Sequence, residues 1–331
     1  MCTGYQNMQE VKHYQEIINK RLEDLHFPPG PETLYEPIRY LLALGGKRIR
    51  PALTLLAAGM FGCKPEQSLP TALAIELFHN FSLMHDDIMD KAPLRRGKPT
   101  VHEKWNTSAA ILSGDFMLIE SYKFIAENDP ADLPEILALF NKTAGEVCIG
   151  QQLDMEYEKS DLVEIDDYLE MIRLKTAVLL GAALRLGAIV AKASEENGQL
   201  LYQFGENLGI AFQLQDDFLD VYGDASLFGK QIGGDILENK KTYMLLKALK
   251  MADREDKKEL EHWIASTDHP GEDKIAAIIR IYNKLDIASH LQHEMNRYTE
   301  KAFSALNLME VSEESKAPLR SLAHSLLVRT Q

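Results

Sequence analysis

The chain has 331 residues, 45% of them hydrophobic and 26% charged, with 50 acidic against 36 basic side chains and a formal net charge of −14. That balance fits a globular protein with a substantial core and disfavours nucleic acid or an anionic membrane surface as the main partner. Three scattered cysteines, Cys2, Cys63 and Cys148, give neither a disulfide framework nor zinc-ligand spacing, and no apolar run reaches the roughly 18 residues of a membrane span. The N-terminus, MCTGYQNMQEVKHYQE, lacks the basic-then-apolar order of a signal peptide, so a cytoplasmic protein is expected.

Helix-like apolar spacing or long apolar runs predict helices near 8–26, 34–44, 50–61, 70–89, 107–127, 131–158, 164–190, 194–222, 240–250, 254–266, 271–303 and 313–328. Gly, Pro and Asn punctuate the gaps, at 28–31, Gly45-Gly46, Pro93, Asn128 to Pro130, Gly223, Gly233-Gly234 and Pro270-Gly271. Asn197-Gly198 has the form of a hairpin turn but lacks flanking strand patterns, and it is placed in the first turns of a helix begun at Ser194. No alternating strand series and no low-complexity linker occur, which predicts a single all-α domain over 1–331.

Two segments differ from the rest. TALAIELFHNFSLM (71–84) and LLYQFGENLGIAFQLQ (200–215) each contain a single charged residue, Glu76 and Glu206. Helices apolar all round belong at the centre of a bundle. Each runs into an aspartate cluster: HDDIMD (85–90) and, 130 positions on, QDDFLD (215–220). Pro93 and Gly223 stop both helices just beyond, so the clusters lie near helix C-termini, where the helix dipole is already negative. Asp86 and Asp90, like Asp216 and Asp220, are four apart and share a helix face. With 21 aspartates in the chain, two accidental DDxxD matches have a probability on the order of 0.003. A similar run, DDYLE (166–170), opens a helix, where acidic residues complement the dipole, and is placed there as a helix start.

Paired aspartates without interleaved His or Cys suit a hard cation such as Mg2+, which prefers oxygen ligands and commonly bridges carboxylates to substrate phosphates. Basic residues flank the clusters: Lys47 and Arg50 in GGKRIRP, Arg95 and Arg96 in APLRRGKPT, Lys175 beside Thr176 in an apolar helix, and Lys230, Lys240 and Lys241 in FGKQIGGDILENKKT. A solvated face accounts for Lys241. Lys175 has no partner within its own helix.

From GGKRIRP to ENKKT (45–242) the chain resembles the trans-isoprenyl diphosphate synthases, or polyprenyl synthetases, through two aspartate-rich motifs, the arginine pair after the first, and the GGKxxRP-like entry. The resemblance implies an all-α helical bundle of the isoprenoid synthase type with a central apolar cavity, acting as a homodimer on isopentenyl diphosphate and an allylic diphosphate. It implies three Mg2+ ions on Asp86, Asp90 and Asp216, supported by Asp87, Asp217 and Asp220. Arg95, Lys175, Lys230 and Lys240 are implied to grip the allylic diphosphate, with Thr176 and Gln213 near the reacting carbons. Lys47, Arg50, His79 and Arg96 are implied to hold isopentenyl diphosphate, and Gln151, Asp154 and Phe212 to support the site. His79 and Phe212 are equally open to a plain core role, as Gln151 and Gln213 are to filling polar gaps.

Family position also makes Phe81 and Ser82, with Phe78 one turn behind, the floor that stops chain growth. A bulky Phe81, a small Ser82 and no insertion in DDIMD resemble short-chain enzymes with fifteen- or twenty-carbon products. The alternatives are a longer-chain synthase, a terpene cyclase and a non-catalytic partner subunit. The intact second motif speaks against a cyclase, and the retention of every aspartate and the arginine pair against a non-catalytic subunit.

Overall fold

The computed structural model describes residues 2–160, 162–223, 233–266 and 271–327. In chain order the helices are α1 (Cys2–Glu23), α2 (Glu32–Ala43), α3 (Ile49–Met60), α4 (Pro65–Met89), α5 (Val101–Lys104), α6 (Thr107–Ala126), α7 (Leu133–Tyr157), α8 (Ile165–Ile172), α9 (Val178–Val190), α10 (Glu195–Tyr222), α11 (Gly234–Leu237), α12 (Tyr243–Met251), α13 (Arg254–Ala265), α14 (Gly271–Lys284), α15 (Ile287–Leu308) and α16 (Glu313–Leu327). The helices from Ile165 to Val190 run without a break through a π-helical turn, Arg173–Ala177. The only strands among the described residues are β1 (Leu94–Arg95) and β2 (Lys98–Pro99), paired Leu94 to Pro99 and Arg95 to Lys98. Among these residues no helix is long and apolar enough to cross a membrane.

The chain forms two compact units. One comprises Met1–Thr143, Leu179–Tyr202 and Leu308–Leu322; the other comprises Ala144–Val178, Gln203–Asn307 and Ala323–Gln331. In the first, α4 is the central element and packs chiefly on α6 and α3. Pro65 suits its first turn, where no N–H is needed, and the Lys64 N–H donates to Gln67 Oε1 at 3.0 Å. Thr71 to Phe78 are all buried, as their composition requires. At the other end Lys91 turns left-handed (φ 51°), so that its N–H reaches the Ile88 carbonyl and the Ala92 N–H the Asp87 carbonyl. This double closure ordinarily uses glycine at the turning residue.

In the second unit, Tyr168, Met171, Ala177, Ile210, Leu214, Met244, Ile281 and Leu291 belong to one buried cluster. The C-terminal part of α10 carries QDDFLD through it. Gly223 closes that helix on the Leu219 carbonyl at 2.9 Å.

Each of the twelve predicted segments is helical over most of its length; α5 and α11, one turn each, were not predicted, 164–190 passes through the π-helical turn, and the other differences are local. The segment 271–303 breaks at Leu285-Asp286, where Asp286 turns left-handed (φ 53°), a conformation aspartate tolerates better than most residues. The hairpin at 94–99 turns on Arg96 (φ 53°) and Gly97 (φ 73°), the two positive φ values that a tight two-residue hairpin needs. Asn197-Gly198 does lie in the first turn of α10, where the Asn197 N–H donates to Ser194 Oγ. DDYLE does open α8, with the Glu164 N–H donating to Asp167 Oδ2.

Candidate active site

The last turn of α4 presents three carboxylates in unequal settings. Asp87 is 2% exposed and is claimed by Arg95, whose Nε lies 2.9 and 2.8 Å from its two oxygens and whose Nη2 lies 2.7 Å from Oδ1. The same Nη2 is 3.9 Å from Asp86 Oδ2. The hairpin therefore folds Arg95 back onto the helix it follows, and Asp86 and Asp90 are left as the more accessible pair. Burial draws the Arg95 pKa down, but Asp87, Asp86 and Asp90 outweigh it and leave the guanidinium more firmly charged.

A cationic cluster adjoins this turn. Arg48 caps α3 in a left-handed conformation (φ 46°). Its buried guanidinium donates to Glu76 Oε1 (2.6 Å), Asn19 Oδ1 (2.9 Å) and the Leu42 carbonyl (2.8 Å). Asn80 Nδ2 also donates to Glu76 Oε1, at 3.0 Å. The twist at Arg48 leaves Lys47 exposed and delivers Arg50 to His79, with Nη1 3.1 Å from Nε2. Because an arginine only donates, His79 Nε2 accepts and carries no proton. Burial, reinforced by Arg50, Arg96, Arg95 and Arg48, pushes the His79 pKa well below its ordinary value. Burial, partly offset by Glu76, brings Arg50 down to about 10, and its Nε has no hydrogen-bond partner among the described residues. Arg96 lies over Gly46 (φ 147°), where a Cβ would sit 3.0 Å from Nη2. Its pKa too is lowered, first by burial and then by Arg48 and Arg95. The buried carboxylates acting on these arginines are Glu76, already paired with Arg48, and Asp87, already held by Arg95, which leaves the charges of Arg50 and Arg96 in excess, an arrangement that suits a polyanion.

Behind the aspartates, rings touch in series along α4 and beyond it. His85 packs edge-on against Phe81 (4.8 Å between centroids), Phe81 against Phe78 (5.6 Å), Phe78 against Phe140 (5.4 Å) and Phe140 against Tyr122 (5.2 Å). Ser82 spends its hydroxyl on the His79 carbonyl at 2.9 Å.

In the second unit the π-helical turn places Lys175 Nζ 2.5 Å from Asp154 Oδ2, an ion pair to α7. Thr176 Oγ1 is 3.4 Å from Gln213 Oε1 on α10. Two glycines press on this turn. A Cβ at Gly150 would lie 2.6 Å from Lys175 Cα, and one at Gly209 would lie 2.6 Å from Ala177 Cα. Gln151 Nε2, beside the first of them, is buried with no partner among the described residues. Phe212 is partly buried immediately before Gln213.

Asp217 is 4% exposed and accepts a short hydrogen bond from Tyr168, itself 3% exposed. Burial, with Asp235 and Asp216 nearby, pushes the Asp217 carboxyl well above the usual carboxylate range against the Tyr168 and Gln213 hydrogen bonds. Asp216 is exposed, and Asp220 accepts the Asp235 N–H at Oδ2 (3.0 Å). Lys240 lies 3.5 Å from Asp235 and 3.1 Å from Glu238; burial opposes its charge, but these acids prevail and its pKa rises. Asp154, Lys175, Thr176, Gln213, Asp217 and Lys240 all line a cleft of about 130 Å³.

In the first unit Arg50 and Arg96 lie near His79, and Arg95 reaches the aspartate motif, while Lys47 is exposed; in the second Asp154, Lys175, Thr176, Gln213, Asp217 and Lys240 share a cleft; Lys230 lies outside the described residues. Lys241, expected on a solvated face, is partly exposed and also lines the cleft. Arg48, Glu76, Asn80, Tyr168 and Asp235 were missed. Glu76, the one charge in a buried helix, was the available signal for the first three, and Gly-Gly-Asp after the second motif was the signal for Asp235.

The carboxylates of each unit suit Mg2+ chemically. Asp86, Asp90, Asp216 and Asp220 are hard oxygen donors, and burial and neighbouring acids already make added negative charge unfavourable at Asp217. No three His, Cys, Asp or Glu side chains among the described residues close a ligand shell on their own. Mg2+ keeps waters and substrate phosphates among its ligands, so it needs no such closed shell.

Residues 31–282 match the polyprenyl synthetase family model. The chain is 40% identical over 241 residues to a geranylgeranyl diphosphate synthase of Methanosarcina mazei, covering 72% of this chain and 74% of that one. It is 36% identical over 323 residues to a short chain isoprenyl diphosphate synthase of Methanothermobacter thermautotrophicus, covering 97% and 98%. A crystal structure of a geranylgeranyl pyrophosphate synthase superposes with a TM-score of 0.92 at 41% identity, covering 97% of this chain and 99% of that one. With the arginine cluster and both aspartate motifs on all-α units, these likenesses make the chain a member of the polyprenyl synthetase family and a prenyltransferase.

Proposed function

We propose that the enzyme condenses isopentenyl diphosphate head-to-tail with an allylic diphosphate, releasing diphosphate and making an all-trans product of fifteen or, by preference, twenty carbons. The observation that carries the substrate assignment is the surplus of cationic side chains around His79, where Arg50, Arg96 and Lys47 would hold isopentenyl diphosphate. In the same proposal Lys175, Lys230 and Lys240, with Arg95, hold the allylic diphosphate. Asp86, Asp90 and Asp216 hold three Mg2+ ions, with Asp87, Asp217 and Asp220 behind them. Bound Mg2+ supplies Lewis-acid neutralisation of diphosphate charge.

The side chains then have distinct tasks. The guanidinium and ammonium groups stabilise the negative charge that builds on the leaving oxygen as the allylic C–O bond breaks. The oxygens of Thr176 and Gln213 face the positive charge left on carbon, and Phe212 offers a ring face, with Gln151 and Asp154 steadying the turn that carries Lys175. The double bond of isopentenyl diphosphate supplies the electrons of the new carbon–carbon bond, and the departing diphosphate takes the proton that is lost. Apolar residues ahead of both motifs keep out water, which would quench the cation. Phe81, with Ser82 beside it and Phe78 behind, ends elongation. The name of the similar Methanosarcina protein, a geranylgeranyl diphosphate synthase, supports twenty carbons.

The enzyme works as a single domain over 1–331, in the cytoplasm and as a homodimer. Support for the dimer comes from α6, which leaves Ile111 (43%), Leu112 (59%), Ile119 (54%) and Tyr122 (37%) exposed.

Purified protein given Mg2+, labelled isopentenyl diphosphate and dimethylallyl, geranyl or farnesyl diphosphate should release diphosphate and yield fifteen- or twenty-carbon products by chromatography. Longer chains would transfer the assignment to a longer-chain synthase. No extension from any allylic partner would overturn it.

A further inference from the structure

His85, immediately before the first aspartate, is held on several sides. Its ring meets Phe81 edge-on at 4.8 Å. Nε2 lies 3.2 Å from the Ile111 carbonyl of α6, and since a carbonyl only accepts, Nε2 carries the proton of that bond. Asp115 stands 3.8 Å away. One residue before Asp115 comes Gly114, buried in mid-helix, where a Cβ would fall 2.6 Å from His85 Cδ2.

Glycine inside a helix is less favourable than alanine. Gly114 has no positive φ and makes no turn, so its backbone does not call for glycine. The local reason for it is room for the imidazole. On Phe81's other flank Phe78 is 2% exposed and backed by Phe140, which makes that side rigid. His85, with its side chain 20% exposed, is the adjustable flank.

We propose that His85 and Gly114 form a spacer that fixes the Phe81 ring and thereby tunes product length, both acting as positioning residues through Phe81. The inference rests on Phe81 being the elongation floor. His85→Ala frees the ring to swing toward the vacated space, and Gly114→Ala displaces the imidazole that holds it.

Products of wild type, Phe81→Ala, His85→Ala, Gly114→Ala and the His85→Ala/Gly114→Ala double variant are compared by chromatography, at matched turnover with Mg2+ and labelled substrates. His85→Ala should raise the proportion of the next longer product by roughly fivefold, the factor that one aromatic pair contact is worth. Gly114→Ala should change the ratio, and its effect should vanish in the His85→Ala background, because there is no ring left to displace. Circular dichroism checks folding; if Gly114→Ala does not fold, His85→Ala alone decides. Lengthening by Phe81→Ala, with wild-type products from the His85 and Gly114 variants, keeps the floor and overturns the spacer. An effect of Gly114→Ala that persists without the imidazole also overturns it. Unchanged products from Phe81→Ala sink the floor assignment and the spacer together.

Discussion

The Arg48 guanidinium and the Glu76 carboxylate form an ion pair at 2.6 Å with both side chains almost fully buried. The pair ties the cap of α3 to the middle of α4, and so sets the spacing between Arg50 and His79. Breaking a buried pair from one side leaves a bare charge and costs roughly 3–5 kcal/mol, whereas removing both charges can be nearly neutral. Glu76→Gln should therefore lower the thermal unfolding temperature strongly. Arg48→Met/Glu76→Leu should recover most of that loss in calorimetry, and additive losses would show that the two side chains do not act as a pair.

His79 carries a pH dependence of known sign. Its folded pKa lies well below 6.5 because of burial and the surrounding arginines. Unfolded, the imidazole takes up a proton as pH falls through about 6.5, while the folded form does not. This stability term is complete above the unfolded pKa and is lost progressively as pH falls toward the folded one. Urea midpoints at pH 7.5 and 5.5 should fall further apart for the wild type than for His79→Gln, and equal differences would sink the prediction.

Gly150→Ala would drive a methyl group into the Lys175 backbone, 2.6 Å from its Cα. Backbone has little room to give, so a loss of about 1–3 kcal/mol is expected. The displaced turn should also raise KM for the allylic substrate more than KM for isopentenyl diphosphate. Steady-state kinetics with each substrate varied in turn would show the split, and equal rises would remove Lys175 from the allylic side.

Tyr168→Phe removes the hydroxyl that donates to Asp217. A buried carboxyl left short of a partner costs roughly 1–3 kcal/mol. The second motif should then present its other aspartates less well, and half-maximal activity should need several times more Mg2+. An unchanged Mg2+ titration would make Tyr168 a packing residue only.

The helices were legible because apolar spacing and Gly/Pro punctuation act locally, and α4 and α10 stood out by their nearly uncharged faces. The aspartates and arginines were legible because like charges at helix ends are costly enough to be informative. Arg48 was not, because nothing in GGKRIRP distinguishes a basic side chain turned inward from one turned outward; the left-handed backbone at that residue decides it. Tyr168 was hidden inside DDYLE, correctly assigned as a helix start, since its link to Asp217 spans 49 positions. The π-helical turn left no mark, for RLKTA reads as ordinary helix and its geometry depends on backbone contact at Gly150 and Gly209.

The series of rings from Tyr122 to His85 has a consequence for how this enzyme can evolve. If Phe81 is the ruler's zero mark, that mark is not fixed by one side chain. It rests on a column whose inner end adjoins Asp86 and whose outer end, Tyr122, is 37% exposed and hydrogen-bonded to Asn141 at 2.6 Å. Substitutions at the surface, or a change in what covers Tyr122, can shift the calibration while the diphosphate-handling groups stay untouched. Product length could then change without any substitution at the aspartates or the arginines.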